Sequence, residues 1–92
     1  MLEDTRKSPV SDLTAVVKFF FPDCSWTWYA VAWDGDDTFF GLVDGIEAEL
    51  GYWTLSELLA TRGKLGCAIE RDRQFRAQPL LPIFERALDT AY

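Results

Sequence analysis

The chain has 92 residues, 49% of them hydrophobic and 26% charged, with 15 Asp and Glu against 9 Lys and Arg, a net charge of -6 and a pI near 4.4. That length holds one core burying roughly 60–65% of the unfolded chain's surface, and four Trp, three Tyr and seven Phe must supply most of its bulk. The acidic balance argues against general affinity for nucleic acid or anionic membranes, and no apolar run approaches the roughly 20 residues of a membrane span.

Residues 1–12 mix charges with Pro9 and lack periodicity, which predicts a loose lead ahead of a single domain over residues 13–92. No apolar signal segment follows the first charged residues, so the expected compartment is the cytoplasm. Residues 13–21, Leu-Thr-Ala-Val-Val-Lys-Phe-Phe-Phe, are β-branched and aromatic and predict a strand, stopped by the turn chemistry of Pro22-Asp23-Cys24-Ser25. Residues 26–33 predict a second strand. Alternation puts Trp26, Trp28, Ala30 and Ala32 on one face and Thr27, Tyr29, Val31 and Trp33 on the other. Neither face is polar, which places this strand centrally and under cover on both sides.

Asp34-Gly35-Asp36-Asp37 is a hairpin turn. Residues 38–43 predict a third strand, in which Gly41 marks either a bulge or a close approach. After Asp44-Gly45, residues 47–53 predict a fourth strand with Glu47 and Glu49 on one face and Ala48, Leu50 and Tyr52 on the other. Thr54-Leu55-Ser56-Glu57 has the capping-box pattern and opens a short helix over residues 54–62, with Leu55, Leu58 and Leu59 as its stripe and Gly63 as its stop. Residues 67–69 and 74–76 read as one interrupted strand or as two fragments around Glu70-Arg71-Asp72. Pro79 and Pro82 set up a last helix from Pro82 to about residue 90, with Ile83, Phe84, Ala87, Leu88 and Ala91 on one side. The sum is an α+β domain: an antiparallel meander of four to five strands with a short helix and a C-terminal helix packed on it.

Charge is unevenly distributed along this frame. Between Phe19 and Thr61 lie Asp23, Asp34, Asp36, Asp37, Asp44, Glu47, Glu49 and Glu57 without one Lys or Arg. Six of them, Asp34, Asp36, Asp37, Asp44, Glu47 and Glu49, gather around two turns and the adjoining strand and form the candidate partner-binding surface. Such a row of negative charge suits a groove built for phosphates, while plain solubility is the blander account of the same residues. The following strip, Arg62, Lys64, Arg71, Arg73 and Arg76, is the candidate phosphate contact. Glu70 and Asp72 interrupt it, and pairing of these cations with nearby carboxylates, within the fold or across a symmetric dimer, is the simpler expectation.

Catalysis has little to stand on. The absence of histidine removes the commonest general base, and Glu47 with Glu49 reads as a solvated strand face. Asp34, Asp36 and Asp37 lack the distal glutamate of a calcium loop, and Cys24 and Cys67 do not complete a zinc set. No metal and no cofactor is expected. The two cysteines are expected to be reduced, with a bridge between them left open.

The ordered series Val-Val-Lys-Phe-Phe-Phe-Pro-Asp (16–23), Trp-Thr-Trp-Tyr (26–29), Phe-Phe-Gly-Leu-Val (39–43), Glu-Leu-Gly-Tyr (49–52), Leu-Ser-Glu-Leu (55–58), Arg-Gly-Lys-Leu-Gly (62–66) and Ile-Glu-Arg-Asp (69–72) resembles the DUF2958 family. The resemblance covers about residues 14–78. Members usually carry a longer helical lead than this chain, and the two-proline tail over residues 79–92 looks individual. The family transfers no activity; it implies a bacterial setting on plasmids, phages and other mobile elements. The expectation is therefore a small acidic, non-enzymatic binding protein, monomeric or homodimeric. It would inhibit a basic nucleic-acid-handling host protein or complex, as an anti-defence or anti-CRISPR-like nucleic-acid mimic does. The alternative is an accessory protein of plasmid or phage maintenance that uses the basic strip.

Overall fold

The computed structural model describes residues 10–90. Residues 1–9 of the expected lead over residues 1–12, and Ala91 on the last helix, lie outside the described residues, whereas residues 10–12 of that lead form a 3-10 turn. After a 3-10 turn at Val10–Asp12 come β1 (Thr14–Ala15), β2 (Val17–Phe20), β3 (Thr27–Trp33), β4 (Thr38–Asp44), β5 (Ala48–Thr54), α1 (Leu55–Ala60), β6 (Glu70–Arg71), β7 (Gln78–Pro79) and α2 (Leu80–Thr90). Five of the strands form one antiparallel sheet in the order β5-β4-β3-β2-β6, and β1 pairs with β7 in a separate two-stranded ribbon. The α+β meander expected from the pattern is the fold.

The first predicted strand is two pieces, because its ends serve different partners. Thr14 and Ala15 pair with Pro79 and Gln78, whereas residues 17–20 pair with β3. The predicted fragments around residues 67–76 also change places. Glu70 and Arg71 are themselves the strand, pairing with Phe20 and Phe19, and residues 74–76 are not strand. The last helix begins two residues before Pro82, whose missing N–H costs nothing in a first turn.

Both faces of the sheet are covered, as the apolar second strand implies. On one face Leu13, Ala15, Phe40, Leu42, Leu80, Ile83 and Ala87 form a core under α2 and the 3-10 turn. On the other face lies an aromatic core of Phe19, Phe21, Trp28, Ala30, Phe39 and Trp53, closed by Leu58 of α1. Phe39 ties this second core together, with ring centroids 4.4 Å from Trp33, 5.3 Å from Phe19 and 5.6 Å from Trp53. The expected alternation along β3 fails after Ala30. Ala30 faces Gly41 and Ala32 faces Phe40, so Val31 is an extra residue in the ladder. The bulge moves Ala32 to the α2 side with Tyr29 and Val31, and it turns Trp33 to the side of Trp28 and Ala30.

α1 is shorter than its pattern suggests. The Thr54 hydroxyl accepts the Glu57 amide at 3.1 Å and donates to Glu57 Oε1 at 2.7 Å, so the glutamate takes the hydroxyl, not the backbone amide. At the far end the stop comes at Thr61, not at Gly63. Thr61 is extended (φ -88°, ψ 147°), and its hydroxyl bonds the Glu57 carbonyl at 2.7 Å, satisfying a helix-end acceptor without a glycine.

Candidate functional site

The six acidic candidates do not make one row. β4 is seven residues long, which sets the 34–37 turn and the 44–47 turn about 20 Å apart at opposite ends of the sheet. Two of the six are bound into the backbone. Asp34 Oδ1 accepts the amides of Asp36 (2.8 Å), Asp37 (3.0 Å) and Thr38 (3.1 Å), the local ring that lets Gly35 take φ +88°. Those amides, Asp36 and Thr38 foremost, hold the Asp34 carboxyl below its ordinary value of 3.8. Asp37 reaches across to α1, accepting the Ser56 amide at 3.0 Å with one oxygen and the Ser56 hydroxyl with the other. It therefore pins the first turn of the helix to the β3–β4 hairpin.

Asp44 lies elsewhere again. It lines a cavity of about 400 Å³ at the α2 side of the sheet with Lys18, Tyr29, Phe75, Gln78 and Arg86. Burial and the Asp44 charge push the Tyr29 phenol above its usual value, with Arg86 opposing. The fold thus places two cations distant in sequence, Lys18 and Arg86, in the same cavity lining as Asp44. Asp36, Glu47 and Glu49 remain. All three are exposed, and no ion pair or side-chain hydrogen bond engages them among the described residues. Glu47 lies in the turn just before β5 and Glu49 near its start, and β5 is an edge strand of the sheet.

The basic strip is likewise dispersed, and the pairing expected within the fold is not seen among the described residues. Arg62 donates to the carbonyls of Leu59 (2.8 Å) and Thr61 (3.0 Å) and closes the end of α1. Asp72, which stands between Arg71 and Arg73 in sequence, pairs instead with Lys18 at 3.8 Å. Lys64, Arg71, Arg73 and Arg76 are exposed and form no ion pair among the described residues.

A groove that the sequence reading passed over lies between the β2–β3 turn and the loop after α1. It encloses about 600 Å³, floored by Phe21 and Trp28, flanked by Cys24, Ser25 and Trp26, and rimmed by Arg62 and Lys64. Its far wall is held by one carboxylate. Asp23 Oδ2 accepts the amides of Leu65 (2.7 Å) and Cys67 (3.2 Å), while Oδ1 is buried against Gly63 without a hydrogen bond. Burial pushes the Asp23 carboxyl up, but these amides and the Cys67 thiol together bring it below 3.8. The thiol moves the opposite way: burial and the adjacent carboxylate raise Cys67 above its ordinary value and keep it protonated. Cys67 does not open a strand, and both cysteines are free and half-buried. The signal available in sequence was the pair of motifs Pro-Asp and Arg-Gly-Lys-Leu-Gly, but their contact spans 42 residues and no local period reports it.

Among the described residues no three His, Cys, Asp or Glu side chains gather in a way that would hold a metal ion. No helix there is long and apolar enough to cross a membrane. A family model described as "Protein of unknown function (DUF2958)" matches residues 1–91, so the likeness takes in the start of the chain and the two-proline tail as well as the middle. No curated protein and no solved structure matches the chain.

Proposed function

The chain belongs to the DUF2958 family, and we propose that it is a non-enzymatic binding protein whose acidic surface docks on a basic, nucleic-acid-handling protein. The observation that carries this reading is the state of Glu47 and Glu49. Both are exposed and form no ion pair among the described residues, Glu49 on the edge strand β5 and Glu47 in the turn just before it, with no lysine or arginine between Phe19 and Thr61 to offset them. Carboxylates in that state are attracted to a cationic groove and steer encounter with it. In this reading the gene travels on a plasmid, phage or similar element, and the target is a host protein that handles DNA or RNA, such as a defence nuclease or a CRISPR complex.

The test is a triple charge reversal, Asp36→Lys, Glu47→Lys and Glu49→Lys, which spares the structural Asp34 and Asp37. The tagged wild-type protein is expected to retain a basic protein from nuclease-treated host lysate and release it at moderate salt. The triple variant is expected to lose that capture at least about tenfold, since each 1.4 kcal/mol of lost binding is a factor of ten. Undiminished capture by a folded triple variant would refute the reading.

One observation favours a second reading, an accessory protein that contacts nucleic acid through the basic strip. Lys64, Arg71, Arg73 and Arg76 have no carboxylate partner among the described residues, and Lys64 shares its groove with Trp26, a half-open ring of the kind that stacks bases. Gel-shift assays with single- and double-stranded oligonucleotides separate the two. Neutralising Arg71, Arg73 and Arg76 is expected to abolish any shift, and a shift that survives counts against this alternative.

A further inference from the structure

The outer edge of β5 combines three properties: it is open, its hydrogen-bonding phase is fixed, and its charge has one sign. We infer that β5 is a docking edge, which adds an extended segment of a partner protein with alternating basic residues as the next strand of the sheet. This rests on the acidic-surface reading above and specifies how the partner is held.

The phase follows from two bonds that flank the β4–β5 ladder. Leu55 donates its amide to the Asp37 carbonyl at 2.8 Å, and Gly45 donates to the Glu47 carbonyl at 3.3 Å. Both pairs continue the register in which Thr38 faces Thr54 and Asp44 faces Ala48. Antiparallel ladders alternate hydrogen-bonded and non-hydrogen-bonded pairs. Glu49, Gly51 and Trp53 therefore turn their amides and carbonyls toward β4, and Ala48, Leu50 and Tyr52 turn theirs outward. Among the described residues no strand takes those outward groups, because β5 ends the sheet order.

The usual defences of an edge are missing here. β5 holds no proline and no lysine, and its register against β4 runs without a bulge. What it carries instead selects a partner. Glu49 is exposed near its start and Glu47 is exposed in the turn just before it, so a segment laid alongside meets carboxylates at that end. A Cβ placed on Gly51, the next residue on the side of Glu49, would meet nothing within 4 Å, which leaves room for a lysine or arginine stem beside Glu49. On the opposite side Tyr52 is 46% exposed next to Phe40, an apolar seat for the alternate side chains. A second copy of the chain fits less well, since it would bring a net charge of -6 and the same acidic edge.

The experiment is anisotropy titration of a short fluorescent peptide of alternating lysine and valine at low salt. Two variants at one position isolate the backbone. Tyr52→Ala removes the ring and keeps the outward amide, whereas Tyr52→Pro removes both, and neither touches a bond to β4. The wild-type protein is expected to bind the peptide. Tyr52→Pro should bind at least about tenfold more weakly than Tyr52→Ala, a difference of about 1.4 kcal/mol. Glu49→Lys should weaken binding similarly, and the same peptide with alternate backbone N-methyl groups should not bind the wild type. The N-methylated peptide carries the test by itself if Tyr52→Pro does not fold. Equal affinities for Tyr52→Pro and Tyr52→Ala, with loss only in Glu49→Lys, would overturn strand addition while leaving acidic docking intact. Absence of wild-type peptide binding would also overturn it. So would a wild-type dimer that Tyr52→Pro converts to monomer, since a second copy would then own the edge.

Discussion

Gly41→Ala is expected to cost about 3 kcal/mol, which in a domain of this size lowers the melting temperature by roughly 12–24 °C. A Cβ built on Gly41 would lie 2.0 Å from the Tyr29 carbonyl oxygen and 3.0 Å from its carbon, and both atoms are backbone of the neighbouring strand. A flexible side chain would swing away from such an intrusion; a strand in the middle of a sheet does not. The crowding has a cause in the sequence of β3. Val31 is the additional residue of the bulge, and the ladder steps from Ala30 opposite Gly41 to Ala32 opposite Phe40. The kink drives the Tyr29 carbonyl toward β4 at the one position where β4 has no side chain. Gly51 faces Gly41 from the other side, and a Cβ there would meet nothing. Gly51→Ala is therefore the matched control, expected to be neutral or to gain up to about 1 kcal/mol by removing chain entropy. Thermal melts of the two variants decide the matter. If Gly41→Ala melts within a few degrees of Gly51→Ala, the bulge does not set the core as described.

That glycine also shows where sequence reading stops. Strand spacing, the Asp-Gly turn and the capping box are local, and each is legible because its hydrogen bonds close within a few residues. Gly41 was legible as an exception, but its partner was not, because a bulge at Val31 leaves no mark in an apolar run that has no polar face to fall out of phase. The acidic candidates met the same limit. Asp34, Asp36 and Asp37 look alike in a string of letters, yet Asp34 is consumed by its own turn and Asp37 by Ser56, 19 residues away. Only the folded register separates them from Asp36, Glu47 and Glu49. Exposure of the β5 edge is likewise a property of strand order, which pairing rules constrain and periodicity does not.

The clamp at Asp23 gives the sharpest double-mutant test. Gly63→Ala alone is expected to cost about 2 kcal/mol, a typical penalty for overpacking. Its Cβ would stand 1.7 Å from Asp23 Oδ1, and that carboxylate cannot yield while its other oxygen holds the amides of Leu65 and Cys67. Asp23→Ala alone is also destabilising, because it orphans those two amides. With the carboxylate gone, however, the space beside residue 63 opens. The double variant should therefore be more stable than the sum of the single effects predicts by about 1 kcal/mol or more, the range seen for residues in contact. Acid supplies an independent reading of the same contact. A carboxyl held below 3.8 in the folded state contributes stability that is fully present above that value and is lost as pH falls through the lower folded one. Asp34 is lowered too, but it is common to wild type and Asp23→Asn, so the difference between those proteins isolates Asp23. The gap in their melting temperatures should be full near pH 6 and shrink as the pH falls below about 4. A gap that stays constant across that window would mean that the two amides do not hold the charge. Since Arg62 and Lys64 ride on the clamped loop, any binding that uses the groove should weaken in Asp23→Asn even at neutral pH, whereas binding at the β5 edge should not change.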